Sequence, residues 1–523
     1  MSREESNEIS ATSFELWCDR LRSFFAQPLV VLWVIGVVLV WKLALSSPAD
    51  PDLFARVGMG RLVHTLGSVP LQDPFAFTAK LPEWIDHEWL SGVVFYQIAA
   101  TWGDCGLILL KLVLAIWTAI LIVRASRIYW PHVSGRVVWA TVCLLEASHL
   151  WASTVRCQIF TYFIITLIYY GFVQYRIYGV RRYIALVPCA LVALVNMHGG
   201  YALTVLLLWL LAGCSFIERK SWQALAVVAA VSMLAPLATP YGFEKFVTYL
   251  VHALSMKRPS ITEWEPLYHD IGSFIRVAVI AGIIGLGIVL RVRQREWHLT
   301  ALAVLGFSLY CGVSHIRFVG FAMLTAVVFG AGFFGSVIEA VFKRFPRRST
   351  LLARMLSLVG LVTLVVMALQ VSIAATRKDT WRLDTSSYPV AAFEWLRNSG
   401  SSGKLIVDFN NGSFALWRLY PKFLVSIDGR YEEVYTDETF REAGLALRAD
   451  TPEGSAALKK ISPTHILLGR SSDSAATIAA LSTEWREVYG DERYSILTTG
   501  ESGVAMPTPT AKSVDLWDNL ASW

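Results

Sequence analysis

The chain has 523 residues, 55% of them hydrophobic and 16% charged, with a mean hydropathy of +0.50, and a water-soluble fold of this size has no interior that could hide so much apolar surface. The formal net charge of +6 does not point to nucleic acid, because Lys and Arg stand in short clusters between apolar runs and form no stripe with interleaved aromatics. The seven cysteines, at 18, 105, 143, 157, 189, 214 and 311, are odd in number and absent from the last third of the chain, so no disulfide framework is implied.

Residues 1–27 are largely polar, with Phe14, Trp17, Leu21 and Phe24 at helical spacing behind Ser13 as N-cap, and read as a cytoplasmic amphipathic segment on the membrane surface. A cleaved signal peptide does not fit, since Arg20 and Arg22 precede a long span and no small-residue cleavage site follows it. The region 28–375 carries most of the apolar runs. Runs such as 23–41, 107–123 (interrupted only by Lys111) and 355–375 are close to the length that crosses a bilayer core of ~30 Å. They predict a polytopic α-helical membrane protein of about eleven spans, centred near 37, 115, 145, 167, 191, 208, 230, 281, 307, 329 and 362. Basic clusters at Arg20/Arg22, Arg124/Arg127/Arg136, Arg176/Arg181/Arg182, Arg219/Lys220, Arg291/Arg293/Arg295 and Lys343/Arg344/Arg347/Arg348 fall at every second connection. By the positive-inside rule this puts the N-terminus in the cytoplasm and everything after Ala375 outside.

Residues 46–104 then form one long first external loop. Within it 89–102 is apolar but short and reads as a juxtamembrane helix, followed by a loop at 103–106, because a span there would break the charge alternation. From 376 to 523 the composition becomes that of a separate, extracytoplasmic α/β domain. It has a helix at 389–398, strands at 404–409, 423–427, 465–468, 485–489 and 494–497, and helical stretches between them.

Ionisable residues gather on the external side. Asp52, beside Asp50 at the start of the loop, reads as the cap of a helix over 53–66, as a general base, or as both. Asp86, His87 and Glu88, between Trp84 and Trp89, read as an exposed interfacial turn or as ligands of a divalent cation, Mg or Mn for the oxygens of Asp86 and Glu88, with the imidazole admitting Zn. Arg156 with Gln158, His198, and His315 with Arg317 would suit a phosphate, or singly a lipid headgroup; Glu263 and Glu265 lie at the same predicted depth. Thr239-Pro240-Tyr241-Gly242 reads as a turn. A Walker loop, a dinucleotide fingerprint, paired CxxC, HExxH and Gly-x-Ser-x-Gly are all absent.

The runs Asp50-Pro51-Asp52-Leu53-Phe54-Ala55-Arg56, Asp73-Pro74-Phe75-Ala76, Trp84-Ile85-Asp86-His87-Glu88-Trp89, Asn196-Met197-His198-Gly199-Gly200, Glu263-Trp264-Glu265-Pro266 and Ile427-Asp428-Gly429-Arg430 resemble bacterial membrane proteins of the GT-C glycosyltransferase superfamily, in the broad group of protein mannosyltransferases and aminoarabinose transferases. The resemblance implies a multi-span fold in a bacterial inner membrane and a polyprenyl-phosphate-linked sugar donor reacting on the outer face, usually with inversion. It places the catalytic acidic residue on Asp52, with Asp50 its rival, and substrate on Asp86, His87, Glu88, Arg156, Gln158, His198, His315 and Arg317. The acceptor is a glycan, lipid or protein, membrane lipids surround the spans, and the end domain would bind acceptor or a protein partner through Trp417, Asp428 and Arg430. A non-catalytic scaffold subunit of an envelope complex, and a transporter or polymerase of lipid-linked glycans, are the competing expectations.

Overall fold

The computed structural model describes residues 47–499, apart from 134, 152–153, 257, 259–260 and 345–380, together with 516–517. The amphipathic segment 1–27 and the spans centred near 37 and 362 lie outside the described residues.

The first loop opens with a helix, Pro51–Leu66. Pro51 fills its first turn, where a missing N–H costs nothing. The Asp50 carboxylate accepts the Asp52 N–H at 3.0 Å, and Gly67, at φ 67°, closes the other end on Val63. The cap is therefore Asp50 and not Asp52, which corrects the expectation above: in Asp50-Pro51-Asp52 the proline fixes which carboxylate stands outside the helix. Residues Leu53 to Leu62 of this helix are all buried. One face meets the next helix so closely that a Cβ on Gly60 would lie 2.0 Å from the Gly92 carbonyl oxygen, and one on Gly92 would lie 2.5 Å from that of Arg56. The other face meets the end domain, with Phe54 4.7 Å from Phe414 and 5.4 Å from Tyr388 between ring centres.

That next helix, Trp89–Tyr129, is 41 residues long, about 60 Å at ~1.5 Å per residue and twice the thickness of a bilayer core. It bends at Gly103 (φ 57°, ψ −147°). The break falls where the sequence placed a loop, but the chain turns on one residue and resumes as helix. Asp104 just past the bend accepts from Trp517 Nε1 at 2.8 Å and from the Leu383 N–H at 3.1 Å, clamping the kink from the far end of the chain.

Among the described residues, Trp89–Tyr129, Ile271–Arg293 and Ile316–Val341 are long and apolar enough to cross a membrane; the pair Gln223–Ala238 and Gly242–Ser255, bent by 102°, makes a fourth if counted as one span. Val138–Ala147, Arg182–Val195, Tyr201–Ile217 and Leu299–Ser314 are shorter apolar helices.

The end domain is built on a five-stranded sheet in the order β2-β1-β3-β5-β4, with β1 (Gly403–Ile406), β2 (Phe423–Val425), β3 (His465–Gly469), β4 (Arg486–Gly490) and β5 (Tyr494–Thr498). β1 runs parallel to β2 and β3, while β5 is antiparallel to β3 and β4. Helix Val390–Asn398 and all five strands fall within a few residues of the positions expected from hydrophobic patterning. One side of the sheet, with Ile406, Ile466, Leu468 and Leu497, closes over Ala446, Leu458 and Trp485. The other, with Leu405, Val425, Leu467 and Ile496, belongs to the same hydrophobic core as Phe54, Phe75 and the membrane helices. The first loop even joins the sheet: Val425 donates to Phe75 O at 3.0 Å and Phe77 donates to Val425 O at 3.1 Å. The domain shares a core with the loop.

Trp417, Asp428 and Arg430, expected to meet acceptor or partner, are instead inside. Trp417 donates to Leu516 O at 2.9 Å and its ring lies 5.6 Å from that of Trp517. Arg430 reaches Asp428 at 2.8 and 2.6 Å and Asp73 of the loop at 2.5 Å, with its guanidinium over the rings of Phe75 and Trp84. Their role is to join loop and domain.

The Gly60 contact is testable because the obstacle is backbone and cannot rotate away. Gly60→Ala is expected to destabilise the protein by about 1–3 kcal/mol through overpacking, seen as a lower Tm in detergent. Gly282→Ala, with nothing within 4 Å of the added carbon, is the matched control and should show no loss.

Candidate functional site

A cavity of about 350 Å³ opens where the loop helix, the ends of several membrane helices and the end domain converge, within the size range of small-molecule sites. Its polar lining falls into three groups.

The first is centred on Arg156. Nη2 lies 2.7 Å from Asp52, Nε 3.2 Å from Asp50, and Nη1 bonds Glu263. Three carboxylates thus share one guanidinium, so opposite charge does not fully offset the cost of enclosing them. Burial raises the Asp50 pKa to about 7; Arg156 opposes the rise, and Asp52 and Glu263 add to it. Desolvation raises Asp52 too, again against Arg156. For Glu263 burial is outweighed by Arg156 and Arg317, which hold it below the usual range. Asp50 is closed off at 7% side-chain exposure, whereas Asp52 and Glu263 each keep 35% and are the carboxylates of this group open to the cavity.

The second group is centred on Arg56, one helical turn after Asp52 and therefore on the same face. Its guanidinium lies 2.7 Å from Asp86, 2.7 Å from Glu88 and 2.8 Å from Glu433 of the end domain. His87 Nδ1 is 2.9 Å from Glu433 and 2.8 Å from the Tyr249 hydroxyl, and its Nε2 is 3.5 Å from Glu88. Burial works against the His87 cation, but the hydrogen bond and charge of Glu433, with the charge of Glu88, raise it to about 9. Glu433 is correspondingly held down to about 2 by Arg56 and His87 despite its burial. His198 behaves oppositely: burial lowers it to about 3, with Glu88 opposing. Its Nδ1 accepts the Gly200 N–H at 3.0 Å, which leaves the proton of the neutral ring on Nε2, 3.6 Å from Glu88.

The third group is a stack. Trp264 carries the Arg258 guanidinium 4.3 Å and the Arg317 guanidinium 4.4 Å from its ring centre. Arg258 pairs with Glu432 at 3.0 Å. Among the described residues Arg317 has no carboxylate within ion-pair distance.

The cavity brings together Asp50, Asp52, His87, Glu88, Arg156, Gln158, His198 and Arg317 of the residues expected from sequence. Several of their expected roles change. Arg156 is taken up by carboxylates, and burial disfavours the charged form of His198. His315 is not in the lining: its Nδ1 lies 2.7 Å from Trp264 O and its ring meets the Trp264 ring edge-on at 5.4 Å. Asp86 is fully buried behind Arg56, with Tyr241 of the predicted turn hydrogen-bonded to its backbone. As for a divalent cation at Asp86 and Glu88, both carboxylates face the Arg56 guanidinium, and among the described residues no group of three or more His, Cys, Asp or Glu could hold a metal. The donor set does not fit the ion expected there.

Arg56, Arg258, Trp264, Glu432 and Glu433 were not expected at the site. Arg56 carried a signal, its four-residue spacing from Asp52; Glu433, 377 residues from Arg56, carried none.

No protein-family model matches the chain, nor does any curated protein sequence. Among solved structures, ArnT from Cupriavidus metallidurans bound to undecaprenyl phosphate aligns with 91% of this chain and 99% of its own, at 13% identity and a TM-score of 0.52. The apo state of the same protein aligns over 95% and 99%, at 14% identity and a TM-score of 0.52. The fold is similar to that of ArnT. The alignment spans nearly the whole of both chains and so includes the end domain as well as the apolar helices.

The Glu433–His87 pair gives the site a pH signature. The His87 pKa is raised from 6.5 to about 9, so its contribution to stability is full below pH 6.5 and is lost as pH rises through 9. Glu433, lowered from 4.5 to about 2, contributes above pH 4.5 and loses that contribution as pH falls through 2. Tm measured from pH 5 to 10 is therefore expected to decline between 6.5 and 9, and Glu433→Gln should remove most of that decline. A wild-type Tm that stays flat over this interval counts against the pair.

Proposed function

We propose that this protein transfers a sugar from a polyprenyl-phosphate donor to an acceptor hydroxyl or amine. The observation that carries the reading is one cavity presenting both an open carboxylate, Asp52, and a guanidinium, Arg317, that has no carboxylate within ion-pair distance among the described residues. The likeness of the fold to ArnT, solved with undecaprenyl phosphate, supports a lipid phosphate as carrier. The alternation of basic clusters supports an orientation with the cavity and the end domain on the non-cytoplasmic side, and the membrane in this reading is a bacterial inner membrane.

In this reading the acceptor oxygen or nitrogen attacks C1 of the sugar from the face opposite the phosphate. The new bond to C1 forms as the C1–O bond to phosphate breaks, and that bond's electron pair leaves on the phosphate. Asp52 accepts the acceptor proton. Arg317, stacked on Trp264, neutralises the departing phosphate, with Arg258 stacked on the same ring. Arg156 holds Asp52 in place and favours its ionised form. The products are an inverted glycoside and a free polyprenyl phosphate. No step draws on a metal ion.

Purified protein with undecaprenyl-phosphate mannose, glucose or aminoarabinose and a panel of glycan, lipid and peptide acceptors tests this by mass spectrometry. Asp52→Asn is expected to lower kcat by about 10²- to 10⁴-fold, the range of a general base, without loss of Tm. Arg317→Ala should chiefly raise KM for the lipid donor. Normal transfer by Asp52→Asn would remove Asp52 as base. No transfer from any donor, with other subunits co-purifying, would favour the scaffold.

A further inference from the structure

We propose that Gly429 of the end domain is a positioning residue that seats Asp52, so that the domain completes the transfer site; the proposal rests on the transfer reading above. A Cβ built on Gly429 would stand 2.6 Å from Asp52 Oδ1 and 3.0 Å from Ser413 Oγ. The backbone of this turn is thus the surface against which the Asp52 carboxylate lies, on the side away from Arg156.

The turn is held as a rigid piece. Gly429 N–H donates to Ser413 Oγ at 3.0 Å. The helix Phe409–Leu419 lies so close that a Cβ on Gly412 would be 2.0 Å from the Ile427 carbonyl oxygen. On either side of Gly429, Asp428 and Arg430 form the buried ion pair that reaches Asp73, all three at or below 6% exposure. Four residues beyond Gly429, Glu433 holds Arg56 and His87. The run from Ile427 to Glu433 therefore meets the loop at four points: the Asp73 anchor, the Asp52 carboxylate, the Arg56 guanidinium and the His87 imidazole. The first fixes where the turn sits, and the other three are in the cavity itself.

A glycine is required where the carboxylate needs that space. An added methyl would push against the end of a flexible side chain and leave the Asp428–Arg430–Asp73 anchor alone. The expected response is that the protein folds and Asp52 rotates off its contact with Arg156. Losing the nearby cation makes the ionised carboxylate less favourable, so proton uptake by Asp52 shifts to higher pH.

The experiment compares wild type, Gly429→Ala and Gly444→Ala. Gly444 lies in the same domain with nothing within 4 Å of the added carbon, and that variant is expected to behave as wild type. For Gly429→Ala with undecaprenyl-phosphate mannose, or whichever of the three donors the wild type uses, kcat is expected to fall by about ten- to a hundredfold from misplacement of the base. KM should change little, the acidic limb of the pH profile should move up, and Tm should hold. In an Asp52→Asn background the same substitution should cost no further activity. Wild-type kcat and pH profile in Gly429→Ala would overturn the proposal. If Tm falls, Asp52→Ala is added: recovery of Tm in the double variant supports the contact, and failure to recover overturns it. The carboxylic acid infrared band that disappears in Asp52→Asn gives a readout independent of transfer. Its titration should shift upward in Gly429→Ala, and no shift would overturn the proposal even if the protein proves inactive.

Discussion

The structure around the cavity depends on one buried cation. Arg56 is 4% exposed and lies within 3.0 Å of Asp86, Glu88 and Glu433, which come from two distant parts of the chain. Enclosing a guanidinium costs several kcal/mol unless its donors and charge are satisfied, and here no single segment can satisfy it. Loop helix, the approach to the long helix and the end domain must all be in place together. His87 extends the arrangement by placing a second cation against Glu433. The carboxylates outnumber Arg56, and the imidazolium restores part of the balance.

The same logic explains why the hydrophobic core ignores the boundary that composition draws at residue 376. Phe54, Phe414 and Tyr388 lie ring to ring, and Phe75 and Phe77 backbone groups pair with β2. Apolar burial is non-directional and would tolerate a small slide of domain over loop. Ion pairs with fixed donor geometry, Arg430 with Asp73 and Arg56 with Glu433, would not. Burial supplies adhesion and the charged pairs supply register, and register is what a site formed from both pieces requires.

These two kinds of force also divide what was legible in the sequence from what was not. Periodicity located the five strands and helix Val390–Asn398 closely, because a buried face imposes its period on local residues. The gathering of ionisable residues at one predicted depth located eight residues of the cavity lining, because enclosed charge is costly wherever it falls. Pairing was not legible. Arg156 and His198 were expected as cations for phosphate, but a guanidinium beside three carboxylates and an imidazole in an apolar enclosure take different states, and both outcomes depend on partners far away in the chain. The cap was misplaced by two residues for a local reason: Asp50 and Asp52 flank the same proline, and only the backbone angle of Asp50 distinguishes them. Ile427-Asp428-Gly429-Arg430 stood out in the sequence, but its charged residues act inside the fold and its glycine borders the site.

A cavity so fully paired raises the question of what remains for a ligand. Arg156 and Arg56 each already face three carboxylates, so an incoming phosphate would have to displace an existing partner to bind either one. Their value lies in being occupied: dipoles and charges that are fixed before substrate arrives need not reorganise during the reaction. Arg317 differs because it stacks on an aromatic ring and, among the described residues, has no carboxylate within ion-pair distance, with Glu263 acting on it only from farther off. Stacking on Trp264 orients the guanidinium without neutralising it, and Arg258, 4.3 Å from the same ring centre, packs against that ring as well. The division into cations that organise and a cation that receives follows from this pairing, and under the proposed transfer it would set an anionic leaving group on the Trp264 side of the cavity, with Asp52, beside Arg156 and Gly429, as the acceptor's base.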